Sequence, residues 1–224
     1  MTKLLDIFHA PSKVFTSLKE KPEWVTPFVI VLVVVALSAA LTVSMTRETV
    51  MAQQEEILRE RGMEEEQIER AMQFASGPAA MITSTIIAPL IIALMLLVFA
   101  AILNLFIPLF GGKGAFKPVF SVVCFSSLIK VPSAILRLIL IIITKSPYVT
   151  ASLALFAPTL AKTSFSYRLL AGVDFFIIWE MILVALGITI TNEVRKNNAY
   201  VLVFIIWIAS VFIGAGLGMF GPRG

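Results

Sequence analysis

A polytopic all-α membrane bundle with five transmembrane helices is the fold this sequence predicts, and three observations carry the prediction. Hydrophobic residues make up 58% of the chain and charged ones only 14%, against about 25% charged in an ordinary soluble domain; the mean hydropathy is +0.95. Five apolar stretches reach roughly the 20 residues a helix needs to cross a bilayer. Between them lie short segments rich in charge, glycine and proline. The same composition removes several function classes. The net charge of +4 belongs to basic residues that flank spans and set orientation, so no nucleic-acid partner is expected. The one cysteine, Cys124, sits in an apolar run, and a single histidine, His9, excludes a multi-histidine metal site.

Residues 1–23 alternate apolar and basic side chains at helical spacing, with Leu4, Leu5, Ile7, Phe8, Val14, Phe15 and Leu18 against Lys3, Lys13, Lys19 and Lys21. Pro11 suits the first turn of a helix running to about Glu20. This segment reads as an amphipathic helix in the membrane interface, lysines toward anionic headgroups, with a cytosolic cap on the bundle as the alternative. It has no apolar core of signal type, so the first span is expected to remain as an anchor.

Residues 24–224 form the transmembrane domain. Span one is 24–44, with Trp24 as its interfacial anchor. Residues 46–76 are polar, with eight glutamates and four arginines, and read as a helical hairpin turning at Arg61-Gly62-Met63. Span two is 79–110, where Asn104 offers an interhelical hydrogen bond. A glycine-rich turn leads to span three, 116–143, which Pro132 should kink. A short interfacial helix is placed between 144 and 167. Span four is 169–191 and span five 199–220, where Gly214 and Gly218 permit close helix packing. Five crossings put the termini on opposite sides. Basic residues divide evenly between the sides, and the N-terminal lysine cluster decides for a cytoplasmic N-terminus.

Four charged residues fall deep inside the apolar stretches: Lys130, Arg137, Asp174 and Glu180. An acidic or basic residue at a span centre costs about 2.5–3.5 kcal/mol on insertion scales, so each needs protein or water around it. Lys130 and Arg137 are seven apart and share a helix face. Counting depth from the side shared by spans three and four matches Arg137 with Asp174 and Lys130 with Glu180, although the two acids project about 120° apart. The two readings are a charge-paired staple and a path for an ion, a proton or a lipid headgroup.

Three stretches resemble one family. Ile7–Trp24 carries the punctuation Pro11, Phe15, Pro22 and Trp24; Phe125–Ile135 carries serines and Pro132; Val173–Ile188 carries Asp174, Phe176, Trp179 and Gly187. In order and spacing they are similar to the Yip family, the Ypt/Rab-interacting membrane proteins, in its prokaryotic branch. The resemblance implies a five-span helical bundle with a cytosolic N-terminus. Eukaryotic members carry a long soluble N-terminal region and work with prenylated small GTPases in vesicle traffic. The present sequence departs from that pattern in lacking the region and in its acidic hairpin between spans one and two.

No HExxH, GxSxG, Walker or dinucleotide-binding pattern is present and no histidine falls inside a span, so neither an enzyme nor a cofactor site is expected. The reading is a non-catalytic scaffold or adaptor that assembles with other integral membrane proteins, a transport complex among them. A transporter, channel or lipid-moving protein that uses the intramembrane charges is the alternative. Membrane lipids are partners in either case, and homo-oligomerisation is left open. The expected location is a prokaryotic cytoplasmic membrane.

Overall fold

A computed structural model describes residues 2–144, 149, 151–157, 159–160 and 164–220, with side chains at the same positions except 2, 78–81, 84 and 217–220. Among them the chain is α-helical with no strands. Four helical stretches are long and apolar enough to cross a membrane: Val25–Glu60, Thr85–Phe110, Phe116–Thr144 and Lys196–Gly216. A fifth apolar rod, Phe175–Thr191, has 17 residues. At 1.5 Å per residue it is about 25 Å long, the lower limit for a span.

Helices α1 (Thr2–His9) and α2 (Pro11–Glu20) form a hairpin. Pro11 opens α2, where its missing N–H has no intrahelical partner to lose. The apolar stripe meets protein rather than acyl chains: Ile7, Val14, Phe15 and Leu18 are buried in the core, against α6 (Phe116–Ser126) and α9 (Phe175–Thr191). Lys19 reaches Glu193, just past the end of α9, while the Phe8 ring lies 6.3 Å from that of Trp179. The hairpin therefore runs along α9. The stripe alone could not distinguish a lipid surface from a helix groove.

Helix α3 (Val25–Glu60) is one rod of 36 residues. The sequence places span one at 24–44 and a helical hairpin at 46–76; no glycine or proline lies between Phe28 and Glu60, and the first arm of the hairpin continues span one as the same helix. Gly62, at φ +71°, supplies the left-handed residue of a Schellman cap: Met63 N donates to Leu58 O and Gly62 N to Arg59 O. Helix α4 (Glu65–Ser76) folds back on α3, burying Ile68, and Arg47 donates to Ser76 O at 2.6 Å.

Helix α5 (Pro78–Phe106) ends in a 3-10 turn, Ile107–Phe110. Asn104 Oδ1 is buried without a hydrogen-bond partner among the described residues, so the amide bond expected of its carbonyl is not made there. Span three is split into α6, a 3-10 turn Ser127–Ile129, and α7 (Lys130–Thr144). The break lies just before Pro132, whose ring would collide with the carbonyl four residues earlier. Residues 119–129 are buried without interruption, which makes this segment the axis of the bundle. Trp24, Phe28 and Phe120 meet on one side of it, with ring centroids 5.2–5.8 Å apart.

Span four does not extend from 169. Helix α8 (Phe165–Ala171) stops at Gly172, and α9 begins only at Phe175. Helix α10 (Lys196–Phe220) closes the bundle against α8 and α9. A methyl group on Gly214 would meet nothing within 4 Å; the surroundings of Gly218 lie outside the described side chains.

Candidate functional site

The four deep charges separate into two groups. Lys130 opens α7, and Glu180 lies one turn and a half into α9. Lys130 Nζ donates to Glu180 Oε1 at 2.6 Å and also contacts Oε2. The Glu180 side chain is 8% exposed and that of Lys130 29%. A carboxylate so enclosed needs its counter-charge, because stranding either partner in a low-dielectric medium costs several kcal/mol.

Asp174 is not part of this arrangement. It is the N-cap of α9: its Oδ1 accepts the Phe176 N–H at 2.8 Å, satisfying one of the amides that a helix start leaves without partners. Its backbone bridges to Ser152. Among the described residues no ion pair joins it to Arg137, so the predicted Arg137–Asp174 contact is corrected. Gly172 explains the register. A Cβ there would lie 2.6 Å from Val211 Cγ1, so only glycine lets the α8–α9 corner approach α10 and begin a new helix at Asp174. The acid thus sits at a helix end, not inside a span.

Arg137 lies two turns beyond Lys130 on α7. Together they face a half-open groove of about 430 Å³ between α3, α5 and α7. Val34, Val35 and Ile92 form apolar wall, and Ser38, Thr42 and Ser133 contribute hydroxyls. A second cavity of about 240 Å³ adjoins it, sharing Thr42 and Val43 and reaching Thr46 and Arg47.

The remaining signature residues pack the N-terminal hairpin. A Cβ at Gly187 would lie 2.3 Å from Val122 Cγ1 and 3.1 Å from the Phe15 ring, so α2, α6 and α9 meet at that glycine. Trp179 takes Phe8 edge-on. Phe176 packs beside Phe175. The Trp24 ring packs at a tilt against that of Phe120 on α6. Pro22 lies in the link from α2 to α3.

Sequence reasoning missed a polar clasp at the end of the bundle where α6 starts and α9 ends. Glu193, in the left-handed region at φ 58°, accepts Lys113 at 2.6 Å and Lys19 at 3.0 Å. The Lys113 hydrogen bond first, then that of Lys19, holds its carboxyl down at about 2, from 4.5. Beside it Asn192, 1% exposed, donates from Nδ2 to Lys113 O at 2.8 Å and accepts Thr191 Oγ1 at 2.7 Å. Gly112 completes the fit: a Cβ would lie 2.4 Å from Val194 Cγ2. The available signal was the Gly111-Gly112-Lys113-Gly114 turn facing a lone acid between two apolar spans.

No curated protein and no solved structure matches the chain. The Yip1 domain matches it over residues 5–218, a stretch that takes in the N-terminal hairpin, the Lys130–Glu180 pair and the Gly187 contact alike, and the chain belongs to that family.

Proposed function

We propose that this Yip-type multi-pass membrane protein is a non-catalytic scaffold of the family's prokaryotic branch, set in a cytoplasmic membrane with its N-terminus in the cytoplasm, and that it assembles with another integral membrane protein. The observation that carries this reading is the α3–α4 arm. Helix α3 has 36 residues, about 54 Å, whereas a hydrocarbon core is about 30 Å thick. Its last third therefore stands clear of the bilayer, with α4 packed back on it. Such an arm is a built surface rather than a slack loop. It is acidic, with eight glutamates against four arginines, and it keeps Phe74 77% and Ile57 42% exposed. A partner with a basic, partly apolar face suits it.

Purification from native membranes in mild detergent tests this. A partner should copurify at fixed stoichiometry and be lost when residues 47–75 are replaced by a short Gly-Ser link. Recovery of the protein alone, with the arm intact, would overturn the proposal. One observation favours a second reading, transport: the Lys130–Glu180 pair borders an open groove. A flux assay on the purified protein in liposomes decides it; activity unchanged in both Glu180→Gln and Lys130→Met would defeat a role for the pair.

A further inference from the structure

The groove between α3, α5 and α7 does not stop at the membrane boundary. It shares Thr42 and Val43 with the smaller cavity, which continues past Thr46 and Arg47 to Gln54 and Ala75. At 1.5 Å per residue from Val25, Ser38 lies about 20 Å and Thr42 about 26 Å along α3, inside a core about 30 Å thick. On the same count Gln54 lies about 44 Å along the rod, in water with the arm. The two cavities form one cleft, leading from the base of the arm down to Lys130. Below Lys130 the continuously buried segment 119–129 packs on α3, so the cleft has one mouth.

The polar lining of the cleft is not satisfied by protein. The hydroxyls of Ser38, Thr42 and Ser133 make no hydrogen bond among the described residues. Ser121, Ser127, Thr189 and Thr191, by contrast, each donate to a carbonyl of their own helix, as polar side chains in an apolar medium must. Ser126, four residues before Lys130, is also buried without a partner among the described residues. Lys130 keeps 29% of its side chain exposed while it holds Glu180, and a charge at such depth faces protein or water. The groove of about 430 Å³ has room for on the order of ten waters at roughly 30 Å³ each.

We infer that this cleft is a water-filled vestibule, open at the base of the arm and closed below Lys130, through which solvent and small hydrophilic solutes reach the Lys130–Glu180 pair from one side of the membrane. An acyl chain, the rival occupant, would cover Val34, Val35 and Ile92 but leave the three hydroxyls without partners. The vestibule goes beyond the scaffold reading and does not depend on it. It also stands with or without net flux, because a dead end hydrates the pair from one side only.

Cysteine labelling in dioleoyl-phosphatidylcholine nanodiscs, with a membrane-impermeant methanethiosulfonate that carries a sulfonate, tests it. The reagent needs a thiolate, which forms in water and not in hydrocarbon. Cys124, the chain's one cysteine, is fully buried, so the wild type gives the background rate. Thr42→Cys, Ser38→Cys and Ser133→Cys should react at least a hundredfold faster than Leu37→Cys and Leu90→Cys, whose native side chains are 58% and 62% exposed outside the cleft. Leu37 adjoins Ser38, so that comparison holds depth constant. Thr42→Cys should outpace Ser38→Cys, since the reagent enters at the arm. Adding Ala134→Phe, which fills the groove, should slow Ser38→Cys at least tenfold; the other two comparisons stand even if that variant fails to fold. Ser38→Cys and Ser133→Cys no faster than the lipid-facing pair, Ser38→Cys faster than Thr42→Cys, or a rate unchanged by a folded Ala134→Phe overturns the inference.

Discussion

Phe15 and Gly187 touch across the bundle: a methyl on the glycine would stand 3.1 Å from the Phe15 ring and 2.3 Å from Val122 Cγ1. An alanine in a helix gains about 1 kcal/mol over glycine, whereas overpacking a filled site loses about 1–3 kcal/mol. Gly187→Ala should therefore be net destabilising, and Gly187→Leu more so. Gly214→Ala, where the added methyl meets nothing, should be neutral or slightly stabilising. Thermal unfolding in one detergent, followed by tryptophan fluorescence, compares them. Equal midpoints for the Gly187 and Gly214 variants would remove the packing argument.

The Lys130–Glu180 pair gives a second expectation. Lys130→Met leaves the enclosed Glu180 carboxylate without its counter-charge and should lose about 3 kcal/mol. The double variant Lys130→Met/Glu180→Leu should recover most of it, since replacing both charges by apolar groups strands neither. A double variant less stable than either single one in the same unfolding assay would show that the pair contributes net stability.

Glu193 supplies the pH dependence. Its carboxyl is held at about 2 in the folded chain against 4.5 without its lysines. A lowered folded value means that the unfolded state takes up the proton first. The contribution is thus full above about 4.5 and is lost as the pH falls toward 2. Glu193→Gln should flatten that part of the stability curve by lowering the plateau above about pH 4.5 toward the acid value, so that the two proteins differ most near neutral pH and converge toward pH 2. The difference is small, because all three side chains are well exposed and such pairs are weak. Unfolding midpoints at stepped pH from 6 to 2 check it; parallel curves for wild type and variant would refute it.

Asn192 should matter more than the ion pairs around it. Its amide is buried and bonded at both ends. Asn192→Ala takes the Nδ2 donor away from the Lys113 carbonyl, about 1–3 kcal/mol if that group is left unsatisfied, while the Thr191 hydroxyl still donates to Gly187 O. Lys19→Ala removes only one arm of an exposed pair and should lose under about 1 kcal/mol. The same thermal assay ranks them, and the reverse order would contradict this assignment.

The legible part of the fold was what composition and breakers dictate. Apolar length located the rods, Gly62 the arm's turn, and Pro132 the neighbourhood of the span-three break. Charge cost together with depth matching brought Lys130 opposite Glu180. What the sequence could not convey was which surface an apolar stripe would meet, so α2 reads equally as a lipid-facing or a protein-facing helix. Nor did hydropathy distinguish an acid inside a span from one capping it: Asp174 follows Gly172 and Val173 in an apolar run, and only the crowding of Gly172 against Val211 fixes the corner. The Glu193 clasp joins α2, the α5–α6 turn and the α9–α10 turn, three places far apart along the chain that no local pattern links.

That α2 is seated between α6 and α9 bears on how the protein is made. A ribosome emits the first twenty residues long before α9 exists, so their apolar side chains must wait, shielded by lipid or by a chaperone, until almost the whole chain has been threaded. Docking of the hairpin can therefore follow only once α9 is in place beside α6.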